Sequence, residues 1–230
     1  MTEAPWGFGV DGVSARTFHG RKGRLSARKR EAVSSLLPRW ALPDGSLDRP
    51  SLARLFGRSA PVIVEIGSGT GDATVELARH QPEIDIVACE VHTAGVANLA
   101  ILLDETGLSN IRIAPTDGLE VLVRCGDGTI NGIRAFFPDP WPKPAQRRRR
   151  LVQPRVLDVW ARVLAVGSTV HLATDWGEYG DQMRAVLGAD RRFELLDDDD
   201  VPWRPETKYE RAGRAAGRPI TDLAARRRAD

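Results

Sequence analysis

The amino-acid sequence predicts an α/β fold built on a doubly wound, mostly parallel sheet. Short apolar runs typical of buried strands alternate with amphipathic segments long enough for helices, which is the order of β–α–β units. A glycine-rich turn follows the first of these strands, at the position where open α/β sheets bind ligands. Together, these two observations also predict a ligand-binding edge.

The regular pattern begins at Pro61 of the 230-residue chain. Five predicted strands are each followed by a predicted helix. In chain order the pairs are PVIVEIG with DATVELARH, IDIVACEV with TAGVANLAILLDETG, NIRIAPTD with GLEVLVRC, GIRAFFPDP with RRLVQPRVLDVWARVL, and STVHLATD with EYGDQMRAVLG. Right-handed crossovers would place the carboxyl ends of all five strands along one edge.

The two ends of the chain are less regular. A helix is predicted from about Ser26 to Leu37, where Pro38 would end it, and SLDRPSLARLFG is predicted to hold a short helix. We expect a single domain overall, with a basic N-terminal extension at residues 1–45 and the α/β unit at 46–230. The terminal AARRRAD is expected to lack regular structure.

Composition excludes several classes of protein. A hydrophobic content of 42% and a charged content of 28% are ordinary for a globular domain. No apolar run approaches the ~18 residues of a membrane span, and the N-terminus lacks a signal-peptide pattern, which predicts a cytoplasmic protein with no membrane partner. The two cysteines and four histidines lack ligand spacing, so no metal site is predicted.

Positive charge is unevenly distributed, although the net charge is only +2. Basic residues cluster in 16–30, 147–150 and 204–228. Such clusters are typical of proteins that bind an anionic polymer such as a nucleic acid. Solvated surface faces are the alternative for any single cluster.

The turn after the first strand contains Gly67, Gly69 and Gly71. Glycines permit a tight strand-to-helix turn and let a ligand approach the backbone. The spacing G-x-G-x-G differs from the dinucleotide pattern G-x-G-x-x-G, and the lysine of a phosphate-binding loop is absent. The turn therefore indicates a ligand site without identifying the ligand.

Acidic residues follow the first four strands, and this row identifies the ligand better. Glu65, Glu90, Asp117 and Asp139 occupy these positions, and Glu90 is suited to accept hydrogen bonds from ribose hydroxyls. The carboxylates would repel a pyrophosphate but suit a nucleoside with a cationic end, which describes S-adenosylmethionine. A domain with acidic loops and no cofactor is the alternative.

The stretch FFPDPWPK raises a separate question. Pro138 and Pro140 restrict the backbone on both sides of Asp139, which holds this carboxylate in a preorganised position. Trp141 could stack on a nucleobase, and a carboxylate can accept hydrogen bonds from guanine. The alternative is a rigid turn with a packed tryptophan.

These motifs resemble a known family. E-I-G-S-G-T-G, A-C-E-V-H, F-P-D-P-W-P-K followed by R-R-L-V-Q-P, and T-K-Y-E are similar to the bacterial tRNA (guanine-N7-)-methyltransferases over residues 16–223. The resemblance implies a Rossmann-like class I methyltransferase fold and methylation of guanosine 46 in the tRNA variable loop, with S-adenosylmethionine as donor. Because guanine N7 carries an in-plane lone pair, Asp139 is expected to orient the base rather than remove a proton.

The resemblance also implies roles for individual residues. The cofactor-binding set is Glu65, Gly67, Gly69, Gly71, Glu90, Asp117 and Asp139, and Asp139 is also the catalytic position. The substrate-binding set is Lys143, Asp175, Thr207, Lys208, Tyr209 and Glu210, to which phosphate contacts from Arg147 and Arg148 are added. Three departures bear on tRNA preference: Pro144–Gln146 interrupt the basic run, Tyr209 stands in place of phenylalanine, and Arg218 stands in place of histidine.

Three other functions remain open from the residues alone. A methyltransferase for exocyclic amines or proteins would share the Pro-Asp-Pro-aromatic turn, but Lys143 and the following arginines favour RNA. A non-catalytic tRNA-binding protein would not be expected to keep Glu65, the glycines and Glu90. An NAD-dependent oxidoreductase is disfavoured by the glycine spacing. The chain could act as a monomer or a homodimer.

Overall fold

The computed structural model describes Phe18 and residues 24–229. The central sheet has seven strands among these residues, in the order β3-β2-β1-β4-β5-β7-β6. The strands are β1 Val62–Ile66, β2 Asp85–Cys89, β3 Ile111–Ala114, β4 Ile130–Phe136, β5 Leu164–Thr174, β6 Phe193–Leu195 and β7 Thr221–Arg227. The first five pair in parallel, and β7 is antiparallel to both β5 and β6.

Helices cover both faces of the sheet. They are α1 Ala27–Glu31, α2 Leu37–Trp40, α3 Arg49–Phe56, α4 Asp72–His80, α5 Thr93–Thr106, α6 Gly118–Arg124, α7 Pro154–Val163, α8 Gly177–Ala189 and α9 Lys208–Ala215. A π turn, Ala32–Leu36, joins α1 to α2, and two 3₁₀ helices span Pro144–Arg149 and Asp198–Asp200. The strands alternate their apolar side chains between the two faces: Val87 and Cys89 pack with α6 and α7, whereas Ile86 and Ala88 pack with α4 and α5.

The predicted α/β sheet and its five strand–helix units are confirmed. Both cysteines are buried and unpaired. Burial raises the pKa of the Cys125 thiol to about 12, so this cysteine is a neutral packing residue.

The C-terminal prediction was wrong. Residues 221–227 form β7, which pairs along its length with β5. Leu223, Ala224 and Ala225 are buried, and Arg227 Nε donates to Ala161 O at 2.9 Å. The segment joins the sheet because the edge of β5 offers backbone hydrogen-bond partners. The charged residues around 224–230 do not reveal this edge.

Two predicted helix boundaries also differ. The helical segment after Ser26 continues past Pro38 to Trp40, because the π turn changes the hydrogen-bond pattern where proline lacks a donor: Leu37 N donates to Ala32 O. The helix predicted from Arg149 begins at Pro154, and Arg147–Arg149 lie in the preceding 3₁₀ helix. Residues 16, 17 and 19–23 of the basic segment 16–30 lie outside the described residues.

Candidate active site

The glycine loop connects β1 to α4. Gly67, Gly69 and Gly71 have φ values of 82°, 61° and 84°, the left-handed region that glycine adopts without steric cost. The amides of Gly67 and Ser68 both donate to Cys89 O at 2.9 Å, which fixes the loop against the end of β2. The predicted tight turn is therefore present.

Glu90 holds the centre of this loop. Its Oε2 accepts from Gly69 N at 2.7 Å and its Oε1 accepts from His92 N at 2.7 Å. Each carboxylate oxygen has two lone pairs, so Glu90 keeps acceptor capacity for a ligand hydroxyl. The loop also packs closely on α5, since a Cβ at Gly95 would lie 2.1 Å from Gly69 O.

Asp117 follows β3 and forms the N-cap of α6. Its Oδ1 accepts from Leu119 N at 3.0 Å, which orients the carboxylate at the helix start. Asp117 lines the same cleft as Glu90, with Thr116 and Gly118 beside it. The second and third strand-end carboxylates are thus brought together as predicted.

Asp139 lies in a turn whose backbone is unusual on both sides. Phe137 and Trp141 have φ values of 55° and 43°, which bulky residues rarely adopt. Phe137 N donates to Ala173 O at 2.7 Å, and Arg150 Nε donates to Pro140 O at 2.8 Å. Contacts from distant segments therefore hold this turn.

The side chain of Trp141 does not form an exposed stacking surface. It is 1% exposed, and the guanidinium of Arg149 lies 3.7 Å from its ring centroid. The expectation that Trp141 stacks on a nucleobase is wrong for this conformation. The packed tryptophan, the alternative considered above, is what the structure has.

Four strand ends meet in one cleft at the carboxyl edge of the sheet. Its empty volume is about 890 Å³, including space open to solvent. Polar and apolar groups both line it: Phe18, Ile66, Gly67, Gly69, Cys89, Glu90, Val91, His92, Thr116, Asp117, Gly118, Phe136, Phe137, Pro138, Asp139, Leu151 and Tyr209.

The residues present fit the predicted cofactor. Gly67 and Gly69 line the cleft, and a Cβ at Gly67 would meet no atom within 4 Å, so the missing side chains leave room for a ligand against the backbone. Glu90, Asp117 and Asp139 provide carboxylates for a ligand with hydroxyls and positive charge.

Glu65 differs from the other predicted cofactor residues. It is 3% exposed and is not among the residues that line the cleft. Burial raises the pKa of its carboxyl, an effect partly offset by Thr74 and by the positive charge of Arg134. Arg134 is its register neighbour on β4, so Glu65 belongs to a polar layer beneath the glycine loop.

The predicted substrate residues on α9 separate into two groups. Tyr209 lines the cleft, is 46% exposed, and stacks on Phe137 with ring centroids 6.4 Å apart. Lys208 is exposed beside the glycine loop, with Nζ 3.5 Å from Thr70 Oγ1. Thr207 caps α9 by accepting from Glu210 N at 3.1 Å.

Glu210, the fourth residue of this motif, is buried in an ionic cluster. Burial alone would raise the pKa of its carboxyl, but hydrogen bonds from Arg204 and Arg214 lower it below the usual range. Asp175 follows β5 and pairs with Arg218, whose Nη2 lies 2.7 Å from Asp175 Oδ2. Arg218, which stands where the family pattern has histidine, thus contacts Asp175, one of the predicted substrate-binding residues.

The basic residues after the turn also differ in environment. Lys143 and Arg148 are exposed, and Arg147 Nη2 lies 3.0 Å from Glu178 Oε2, both side chains being 45% exposed. Arg150 is 1% exposed and donates to Pro140 O and to Gln182 Oε1. A phosphate contact by Arg150 is therefore excluded in this conformation.

Sequence reasoning missed Phe137 and Arg150 as parts of the site. A phenylalanine at a strand end has no signal of its own, and Arg150 is one of four consecutive arginines. Within the described residues, no group of three or more acidic, histidine or cysteine side chains could hold a metal ion. No helix in that part of the chain is long and apolar enough to cross a membrane.

Known proteins are similar to this chain over most of its length. A family model described as "Putative methyltransferase" matches residues 59–223. A tRNA (guanine-N(7)-)-methyltransferase of Burkholderia cenocepacia (strain HI2424) is 43% identical over 219 residues, covering 94% of this chain and 86% of that protein. The same-named protein of Halorhodospira halophila (strain DSM 244 / SL1) is 39% identical over 221 residues, covering 94% and 96%.

Solved structures resemble the fold. The crystal structure of the 16S rRNA methyltransferase KamB has a TM-score of 0.54 at 15% identity, covering 82% of this chain and 96% of that one. At this identity the likeness shows the fold alone, which is the class I methyltransferase architecture that the family resemblance implied.

Proposed function

The chain belongs to the tRNA (guanine-N(7)-)-methyltransferase family, and on that premise we propose that it transfers a methyl group from S-adenosylmethionine to N7 of a guanosine in tRNA. The observation that carries the proposal is the meeting of Glu90, Asp117 and Asp139 with the glycine loop in one cleft. The product is 7-methylguanosine.

The cofactor contacts come from three strand ends. Gly67 and Gly69 let the ligand lie against the backbone, Glu90 accepts ribose hydroxyls, and Asp117 accepts from the adenosine or the amino-acid part. When bound, S-adenosylmethionine supplies an electrophilic methyl group, which guanine N7 can accept with its lone pair. Glu65 supports this site from beneath, since it lies under the loop.

Asp139 positions the acceptor base. Its carboxylate can accept hydrogen bonds from the N1–H and N2–H₂ of guanine, and its negative charge balances the positive charge that N7 methylation creates. No proton has to be removed from N7, so correct orientation supplies most of the rate enhancement. Alignment of this kind can be equivalent to effective molarities of ~10⁵ M or more.

The tRNA approaches from the side of α9 and the 3₁₀ helix after the turn. Tyr209 and Lys208 contact the target nucleotide, Thr207 and Glu210 keep α9 in place, and Asp175 lies behind them. Lys143, Arg147 and Arg148 contact phosphates without discriminating sequence. Residues 46–230 carry the reaction, and the basic segment at 1–45 adds contacts to the RNA.

The test is a methyl-transfer assay with radiolabelled S-adenosylmethionine and unmodified tRNA, followed by nucleoside analysis. We expect a 7-methylguanosine peak that disappears when guanosine 46 of the variable loop is replaced. A different methylated nucleoside would support S-adenosylmethionine as the donor but refute guanosine N7 as the acceptor. Absence of transfer, with both ligands bound, would refute the enzymatic function.

A further inference from the structure

Arg204 lies between β6 and α9, in a segment that none of the motifs above includes. Its side chain is 5% exposed. Nε lies 2.6 Å from Asp222 Oδ2, and Nη1 lies 2.5 Å from Glu210 Oε2. One guanidinium therefore joins β7, which carries Asp222, to α9, which carries Glu210.

The same guanidinium contacts the end of β4. The central carbon atom (Cζ) of the guanidinium lies 5.5 Å from the ring centroids of both Phe136 and Phe137, within the range of cation–π attraction. Phe137 has the left-handed φ of 55° and comes two residues before Asp139. Its ring also stacks on Tyr209. Arg204 thus contacts the aromatic residue that lies between the Asp139 turn and the exposed tyrosine of α9.

We propose that Arg204 is a positioning residue, which holds the Asp139 turn and α9 in the relative placement that the guanosine requires. The proposal deepens the proposed function and rests on it for the roles of Asp139 and Tyr209. Arg204 itself does not line the cleft. It acts through Phe137 on one side and through Glu210 on the other.

The geometry requires arginine rather than any cation. A guanidinium presents donors in a rigid plane, so it can bond two carboxylates while its face lies against aromatic rings. A lysine ammonium would keep one ion pair and lose the planar contact. Arg204→Lys therefore retains the buried charge, which protects folding, while it removes the link between the two segments.

Arg214 provides a matched control. It pairs with the same carboxylate, with Nη2 2.7 Å from Glu210 Oε1, but it is 61% exposed and approaches from the solvent side of α9. Arg214→Lys replaces another arginine that pairs with Glu210 by lysine. It leaves the Arg204 contacts with Asp222 and Phe137 in place.

The first measurement is hydrogen exchange of the full-length variants, which does not depend on activity. We expect Arg204→Lys to speed exchange in peptides covering both 136–142 and 208–215, and to leave 62–72 unchanged. Arg214→Lys should affect at most 208–215. Unchanged exchange in 136–142 in the Arg204→Lys protein would overturn the proposal.

The second measurement is steady-state methylation of tRNA. We expect Arg204→Lys to lower kcat about tenfold or more, because small misplacements of reacting groups are costly, and to raise KM for tRNA several-fold. The dissociation constant for S-adenosylmethionine should stay within about twofold. A lowered melting temperature with unaltered kcat and KM would mean a purely structural ion pair. Absence of 7-methylguanosine from the wild-type reaction would refute the proposed function instead. The hydrogen-exchange result would still decide whether Arg204 holds the Asp139 turn and α9 together.

Discussion

The glycine loop and the Asp139 turn lie in the same cleft but are stabilised in different ways. The loop depends on its own glycines and on neighbours at the adjacent strand end, with Glu90 accepting from Gly69 N. The turn is held by arginines that come later in the chain, Arg150 at Pro140 O and Arg204 beside Phe137. The loop is therefore stabilised by the backbone freedom of glycine and by the adjacent strand end, whereas the turn depends on side chains from several other segments.

This difference separates binding from turnover. The loop builds the proposed cofactor site, so damage there should weaken the donor's affinity. The turn positions the acceptor, so damage there should lower turnover and leave donor affinity unchanged. Each prediction below disturbs one region or the connection between them.

The largest effect is expected from Asp139→Asn. The amide is nearly isosteric, so the turn keeps its shape, but the negative charge and one acceptor are lost. We predict that kcat falls about 100-fold or more, equivalent to ~2.7 kcal/mol of transition-state stabilisation. The dissociation constant for S-adenosylmethionine should stay within about threefold. An unaltered kcat would contradict the proposed role of Asp139.

Arg150→Met is expected to destabilise the turn. The substitution removes buried hydrogen bonds to Pro140 O and Gln182 Oε1. Loss of such bonds typically costs about 2–3 kcal/mol of unfolding free energy. Denaturant unfolding should detect it, with kcat reduced in the folded protein. Arg148→Met, at an exposed position of the same run, should leave the free energy of unfolding unchanged. An equal loss of unfolding free energy in both variants would show that the burial of Arg150 does not stabilise the turn.

Gly95→Ala disturbs the other region. The new Cβ would lie 2.1 Å from Gly69 O, so α5 and the glycine loop must move apart. We predict about tenfold weaker S-adenosylmethionine binding and a stability loss of about 1–2 kcal/mol, measurable by calorimetry and thermal unfolding. The matched control is Gly177→Ala, which meets no atom within 4 Å and should be neutral or stabilising. Unchanged donor affinity in Gly95→Ala would contradict the proposed cofactor site.

Neutralising Arg147 and Arg148 tests the surface beside the turn. The double substitution to glutamine should raise KM for tRNA several-fold and flatten its salt dependence, because fewer phosphates would be neutralised. Since Arg147 already pairs with Glu178, most of the effect should come from Arg148. Arg39→Gln, on α2 near the far end of α5, is the control. A salt slope identical to that of the wild type would exclude phosphate contact.

The smallest effect concerns the polar layer between the two regions. His171 on β5 is register neighbour to Arg134, and its Nε2 donates to Asp222 Oδ1 at 2.8 Å. Asp222 also accepts from Arg204. Burial lowers the pKa of His171 below the ~6.5 of an unperturbed histidine, and this effect is larger than the opposite effect of the hydrogen bond to Asp222. The unfolded state therefore binds the proton first as pH falls.

Stability should accordingly fall as pH drops below about 6.5, with a slope from this one group of at most ~1.4 kcal/mol per pH unit. His171→Gln should remove that component, so the difference in unfolding free energy between wild type and variant should shrink between pH 7 and pH 5.5. A difference that does not depend on pH would mean that His171 does not titrate on unfolding.

The sequence was sufficient for the parts of the site that are local. Short apolar runs alternating with helical segments predicted the five parallel strands. Strand ends in a parallel sheet meet at one edge, so Glu90, Asp117 and Asp139 were expected together. The glycine spacing predicted the loop because glycine adopts a positive φ without the steric cost that other residues have.

Only the tertiary structure decided which of several residues of the same type is buried and which is exposed. Arg148 is exposed and Arg150 is buried two positions later, although nothing in a run of four arginines distinguishes them. The strand at 221–227 forms because β5 has an edge to pair with, and Trp141 is buried with the guanidinium of Arg149 over its ring. Local residue preferences determine loops and strand ends, whereas the partners of a side chain depend on segments that only folding brings into contact.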